Sequence, residues 1–487
     1  MNHYHLKVSG LIARIRSFPS RLLRKQKRPL RIHRTISITL VVAELIGLTL
    51  FQFPSATFAQ TQAKHTVIAA SGDAAPAGGN YLGFLNTLAL NARGEVAFDA
   101  LLGGPNQTGI FVSDGVTASA IALGGDPDPG SENFGFVSTP FLTTRGDVIF
   151  NRDNGIFRGD GRSNVPLVQD GDAAPGGGSL SPTGYNANSR GIIAFGAFLT
   201  GSVNTEGIFR NDGTRSVAIA LDGTPSPTGG TFIFFGAPVI DERGQVAFFA
   251  GVDGGSADFG IYRGDGENII PIFVANQPAP GGGTFVDFGE PVINKHGQVL
   301  DLGVLQNGGG PSGLFLHNGT GPIAIALSGQ AAPKGGNYSV FFGPLILNDR
   351  GQVAFGFFLK GGNSLSGVFR GDGTTTTPIA LEGTAAPGTT GTFASFVDIK
   401  MGNDGRVALI ATLKVGVGGV DPSNNVGIWS GTSESDLHLV ARTGETIGGK
   451  TLTRPLSLGQ LENDKPIIWL GRFSGNSTAI VSSDLND

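Results

Sequence analysis

Apolar and polar positions repeat along this chain in one cassette, plainest at Pro344-Leu-Ile-Leu-Asn-Asp-Arg-Gly-Gln-Val-Ala-Phe355. Leu345 to Leu347 and Val353 to Phe355 read as short apolar strands. Asn348-Asp-Arg-Gly351 between them supplies turn chemistry: an Asn that can close an Asx turn, and a Gly free to take positive φ. Related octamers occur at Asn91–Phe98, Thr143–Phe150, Asn188–Phe195, Asp241–Phe248, Asn294–Asp301, Gly402–Leu409 and, degenerate, Glu462–Trp469. The eight turns are 45 to 60 residues apart, a near-fixed period that marks a solenoid, a propeller or an array.

Each period holds two further strands. One is a Gly-apolar-aromatic run, as in Gly207-Ile-Phe209, Gly313-Leu-Phe315 and Gly367-Val-Phe369, usually followed by an Asp-Gly or Asn-Gly hairpin turn. The other is an apolar run such as Val217 to Leu221 or Ile323 to Leu327, ended by a loop of the type Gly171-Asp-Ala-Ala-Pro-Gly-Gly177. The unit is therefore four antiparallel strands, a to d, and such units are propeller blades. Strands a, b and c occur eight times, the last c at Ser477–Val481, while d follows c only seven times. The missing d lies at the other end of the repeat region, at His65–Ala70. A ring closes its own edges in this way, whereas a solenoid needs caps. The expectation is an all-β, eight-bladed β-propeller, with the last blade made from about residues 451–482 plus 65–70. Seven blades is the alternative if the degenerate unit does not form.

The repeated Asn-x-x-Gly-x-x-Ala-Phe, with its flanking Ala-Pro-Gly-Gly loops, resembles the bacterial "choice-of-anchor" tandem-repeat proteins that contain an NxxGxxAF repeat. The resemblance spans about residues 66–480. It implies an exported, often surface-anchored repeat protein of unassigned biochemical function. The C-terminal Ser482–Asp487 has no hydrophobic tail or basic stop, which departs from the sorting segment that family members often carry.

Residues 1–59 follow different rules. Ten cationic side chains lie between Lys7 and Arg34, an apolar run spans Ile36 to Phe53, and Thr57 and Ala59 stand at the −3 and −1 positions before Gln60. This is the pattern of a secretory signal peptide cleaved near Ala59, ahead of a single propeller domain at 60–487. An uncleaved anchor is the other reading, against which the run is short and carries Glu44. Secretion, the periplasm or the cell surface is the expected location, with no stable membrane association after cleavage. The segment takes ten of the 34 cations and one of the 38 acids, leaving 24 against 37, near −13. That balance argues against nucleic acid as a partner.

Cysteine is absent, which excludes a thiol nucleophile and Cys-based metal sites. Beyond the leader the histidines are His65, His296, His317 and His438, at unlike positions of the repeat. His296 replaces an Arg in its turn, a turn variant rather than a ligand. No nucleophile elbow, His-Glu-x-x-His or Walker loop is visible. The acids Asp73, Asp126, Asp172, Asp222 and Glu382 recur at the end of strand d. They are the candidate metal ligands, for calcium, although the preferred reading is that each accepts backbone N–H groups of its own loop. No other cofactor is expected.

Function on such a fold resides in loops. The b–c loops vary most, at Gly103–Thr108, Gly251–Asp258 and Val415–Asn425. They suit a monomeric, non-catalytic binding or scaffold module for an extracellular glycan, protein or surface component. The competing classes are a polysaccharide-active propeller lyase or hydrolase and a structural envelope protein. Charged side chains from different blades clustered at the channel mouth favour the enzyme, and a smooth Gly- and Ser-lined mouth favours binding or structure.

Overall fold

The computed structural model describes residues 63–76, 78–104, 107–125, 137–152 and 154–485. The leader assigned to 1–59 and the acid Asp126 lie outside the described residues. The chain forms a β-propeller of eight antiparallel blades, and its one helical element among the described residues is the short turn Ser474–Asn476. Within each blade the strands lie in the order a-b-c-d. Blade 1 spans Tyr81–Leu123, blade 2 Val137–Gln169, blade 3 Ser179–Leu221 and blade 4 Thr231–Val274. Blade 5 spans Thr284–Leu327, blade 6 Asn337–Leu381 and blade 7 Phe393–Arg442. Gly-x-Pro segments split strand a of blades 4 and 5 into two pieces.

Blade 8 closes the ring. Strands Lys450–Leu458, Ile467–Phe473 and Thr478–Asp484 come from the C-terminal end, and Lys64–Ala70 adds as their outer strand, with Val67 opposite Val481. The eight-blade count holds, and the seven-blade alternative does not. A His–Ser–Trp network crosses this seam. The indole N–H of Trp469 donates to Ser483 Oγ at 2.7 Å, Ser483 Oγ lies 2.8 Å from His65 Nδ1, and His65 Nε2 lies 3.1 Å from Glu445. Ser483 is 1 % exposed, so this serine–histidine–glutamate chain is a clasp rather than a reaction centre.

The cassette reads as a continuous apolar run, not an alternation, because strand b is covered on both faces by neighbouring blades. Val246, Ala247 and Phe248 have no exposed surface, nor do Val353, Ala354 and Phe355. The aromatic of strand b faces that of strand c in register, as in Phe98 with Phe111 and Phe355 with Phe369, ring centroids 5.6 and 5.7 Å apart. The glycine that opens strand c leaves room for that ring. A Cβ at Gly367 would lie 2.8 Å from Phe369 and 2.5 Å from Leu381. Blade 5 breaks the pattern, with Asp301 fully buried where the other blades carry a large apolar side chain.

Candidate functional site

The cassette turns do more than reverse the chain. The side-chain oxygen of Asn348 accepts the N–H groups of Arg350 and Gln352 at 3.0 and 2.9 Å, the expected Asx turn. Its amide then donates across the blade boundary to the carbonyl of Gly402 at 3.2 Å. Asn91, Asn188 and Asn294 make the same bond to Thr143, Asp241 and Asn348, at 2.9 to 3.0 Å. One side chain thus both shapes its turn and joins blade n to blade n+1. From blades 3, 4 and 6, Arg210, Arg263 and Arg370 add a second stitch to the carbonyls of Gly244, Gly297 and Gly405 in the next turn.

Asp241 takes the Asn place in blade 4 and cannot donate as a carboxylate. Its Oδ1 caps the turn to Arg243 and Gln245 at 2.9 and 2.8 Å, while Oδ2 has no hydrogen-bond partner at 1 % exposure. Burial pushes this carboxyl up, against the turn N–H groups and the pull of Arg243 and Arg263.

Because strand a is innermost, the ends of the eight a strands and the turns that follow them surround the central channel. They enclose a cavity of about 540 Å³ lined by residues from all eight blades. The residue after the Asn position carries the variation: Ala92, Thr144, Ser189, Glu242, Lys295, Asp349 and Asn403 in blades 1 to 7. These also interlock. Glu242 accepts the N–H of Ser189 at 2.9 Å, Asp349 that of Lys295 at 3.2 Å, and Asn403 that of Asp349 at 2.8 Å. The Lys295 ammonium is 3.0 Å from Asp349. In blade 8 Glu462 occupies the Asn position, is half-buried at the cavity and caps no turn. Burial raises its carboxyl, Asp349 adds to the rise, and Lys295 and Lys465 oppose it.

The mouth on the a–b side is therefore charged, with Glu242, Lys295, Asp349 and Glu462 from four blades. It is not the smooth Gly- and Ser-lined rim. The variable b–c loops open on the opposite end of the channel, because successive hairpins of an antiparallel blade alternate ends. Sequence variability points to recognition at those loops and away from the mouth residues. Their signal was a variable position directly after the Asn place of the turn.

The described strand-d acids stay apart from one another and belong to two positions of one turn. Asp73 and Asp172 accept the N–H three residues earlier, of Ala70 at 2.9 Å and Gln169 at 2.8 Å. Gln330 and Glu445 make the same bond, and Thr224 and Thr384 hydroxyls donate instead to the carbonyl three residues back. Asp222 binds Thr205 and the N–H of Glu206 in the b–c loop, and Glu382 accepts the Ser366 hydroxyl at 2.8 Å. A neutral side chain does the work at the first position in other blades, so the place selects a hydrogen-bonding group, not a charge. Among the described residues no group of three or more His, Asp or Glu side chains is disposed to hold a metal ion. His296 sits in its turn as a variant, its N–H held by Asn294 at 3.1 Å.

No curated protein sequence matches the chain. Solved structures match it at low identity and with TM-scores below 0.5. A chain from a study of two prolyl endopeptidases is 9 % identical, over 84 % of this chain and 55 % of that one, with a TM-score of 0.40. A Mycobacterium tuberculosis puromycin-hydrolyzing peptidase is 12 % identical, over 85 % and 59 %, at 0.37. The chain thus spans between half and two thirds of the length of these two. A Penicillium chrysogenum alpha-L-arabinanase complexed with arabinobiose is 11 % identical, over 88 % and 99 %, at 0.29. None of these likenesses bears on chemistry. A model of a sequence family matches twice, at residues 38–312 and 188–465, an overlap that the internal repetition accounts for. Together the two matches cover most of the chain, and the protein belongs to that family, a family of unknown function designated DUF7453.

Proposed function

We propose that the protein is an exported, non-catalytic propeller that binds an extracellular glycan, protein or surface component in its central channel. The observation that carries this reading is the polar cavity of about 540 Å³, to which every blade contributes a turn. Hollows of this size with a few convergent polar groups are where folds of this kind hold ligands. The choice-of-anchor resemblance and the leader pattern support export. Among the described residues no helix is long and apolar enough to cross a membrane. The acidic balance supports a partner other than nucleic acid, and a monomer is the proposed state.

The second reading is a polysaccharide lyase or hydrolase, favoured by the charged side chains that meet at the mouth. A glycan array probed with the full chain, run beside a product assay on the glycans it retains, separates the two. Retention without product supports binding. Product formation that is lost in Asp349→Asn supports the enzyme. No retention of any glycan turns the search to protein partners by cross-linking at the cell surface.

Calcium remains a proposal on Asp73, Asp126, Asp172, Asp222 and Glu382. A thermal melt with millimolar calcium and then EDTA tests it, because a ligand of the folded state raises the midpoint. The expected result is no EDTA-reversible shift, since the described acids are each engaged locally.

A further inference from the structure

The charge at the channel mouth has a sign. Five charged side chains line the cavity, the acids Asp241, Glu242, Asp349 and Glu462 and the single cation Lys295. Their partners are unequally distributed. Glu242 holds the Ser189 N–H, and Asp349 holds both the N–H and the ammonium of Lys295. The Glu462 carboxylate makes no hydrogen bond or ion pair with any described residue, although its half-buried position already costs it hydration, while its backbone carbonyl accepts from the Arg406 guanidinium at 3.3 Å and from the Lys465 N–H. Asp241 is 1 % exposed, and its Oδ2 has no partner. The Glu462 carboxylate and one oxygen of Asp241 thus lack a donor among the residues that line one hollow. Lys295 shows what satisfies such a group here, an ammonium at 3.0 Å.

We infer that the mouth of the channel takes a ligand bearing a primary ammonium group, seated between Glu462 and Asp349 with its frame in the cavity. The inference rests on the proposed binding role and names the ligand class for that site. A metal ion fits less well, because among the described residues no three acids converge closely enough to chelate one. An anionic sugar would have to bring its charge against four carboxyl groups. An ammonium relieves their mutual repulsion, and its three donors match carboxylate and hydroxyl acceptors around a ring. Thr144 and Ser189 on the neutral side of the mouth can meet the hydroxyls of an amino sugar. A polyamine would use the acidic side alone.

The test is calorimetric titration of the full chain, near neutral pH and at low salt, with three probes. These are a glucosamine trimer, its fully N-acetylated counterpart and spermidine. The expected result is binding of the glucosamine trimer, spermidine or both, with the N-acetylated trimer at least tenfold weaker. Glu462→Gln should weaken the amine probes about tenfold, the loss of one charge-assisted contact. Lys295→Gln should strengthen them, because it frees Asp349 from an internal ammonium. A melting curve for each variant checks the fold, and Lys295 is exposed enough for its replacement to be tolerated. Equal binding of the acetylated and free trimers would overturn the ammonium while leaving glycan binding in place. Failure of all three probes, or weaker amine binding in Lys295→Gln, would overturn the inference without touching the array result.

Discussion

Asn348 shows how much one side chain can specify. It is 4 % exposed and its side chain makes four bonds, three within its turn and one to the next blade. Truncation to Ala leaves the N–H groups of Arg350 and Gln352 without their acceptor and removes the seam bond to Gly402, and an unpaired buried group costs free energy. Asn348→Ala should lower stability by about 2–3 kcal/mol in chemical denaturation. A change under about 0.5 kcal/mol would mean that the amide bond across the seam contributes nothing. Asp241 is the converse case. Its folded-state carboxyl is raised, so the stability it contributes is complete below the unfolded value of about 4 and is lost as pH rises through the folded value. Asp241→Asn restores the donor that its equivalents possess. It should raise the melting point at neutral pH and flatten the fall towards alkaline pH. A drop in melting point would instead show Asp241 ionised against Arg263. The Asn was legible in sequence as a turn residue. Its second bond was not, because nothing in one octamer says that the next copy lies beside it.

At the scale of elements, the four-strand unit and the split last blade were both readable, because strand counting needs only apolar runs and turn residues. The leftover strand Lys64–Ala70 sits where counting placed it, as the fourth strand of blade 8. Trp469 is fully buried there, in one cluster with Val67 and Ala70. A chain that begins after Ala70 leaves the edge of the Thr478–Asp484 strand unpaired and uncovers the indole. Its tryptophan emission should move to longer wavelength, and its melting point should fall by several degrees. Unchanged emission would mean that the clasp of His65, Ser483 and Trp469 is not what shields the ring seam. The Gly-x-aromatic opening of strand c was visible as a motif, but its cause was not. The glycine makes way for a ring two residues on and for a leucine of strand d, contacts that exist only once the hairpins are folded.

For the molecule as a whole, opposing titrations set the pH of greatest stability. The buried acids Asp241 and Asp301 are raised, above all by desolvation, and neighbouring carboxylates push Asp301 further. Their contribution is lost as pH rises. The hairpin-turn acids run the other way. Burial opposes the shift of Asp372, but the hydroxyls and N–H groups of Thr374 and Thr375 hold it down at about 2. The exposed Asp114, Asp160 and Asp212 and the partly exposed Asp265 are also lowered, chiefly by hydrogen bonds within their own turns. Their contribution is lost as pH falls. Stability should therefore peak on the acidic side of neutrality, and Asp241→Asn combined with Asp301→Asn should move the peak upward. Melting points measured across pH check this. A wild-type peak on the alkaline side would show that the buried acids do not govern the profile.

The sequence alone determined the blade, its number of copies and the way the ring closes. These follow from local apolar periodicity, turn chemistry and the arithmetic of leftover strands, all of which are properties of neighbours along the chain. Only the tertiary structure decided which end of the channel carries the polar hollow. It also decided which charges face each other there and why Asp301 and Asp241 are strained substitutions. Successive members of the set Glu242, Lys295, Asp349 and Glu462 are 53, 54 and 113 residues apart along the chain. They meet because the ring turns a period along the chain into a circle in space. A side chain's partner across that circle is set by closure, which no single repeat contains.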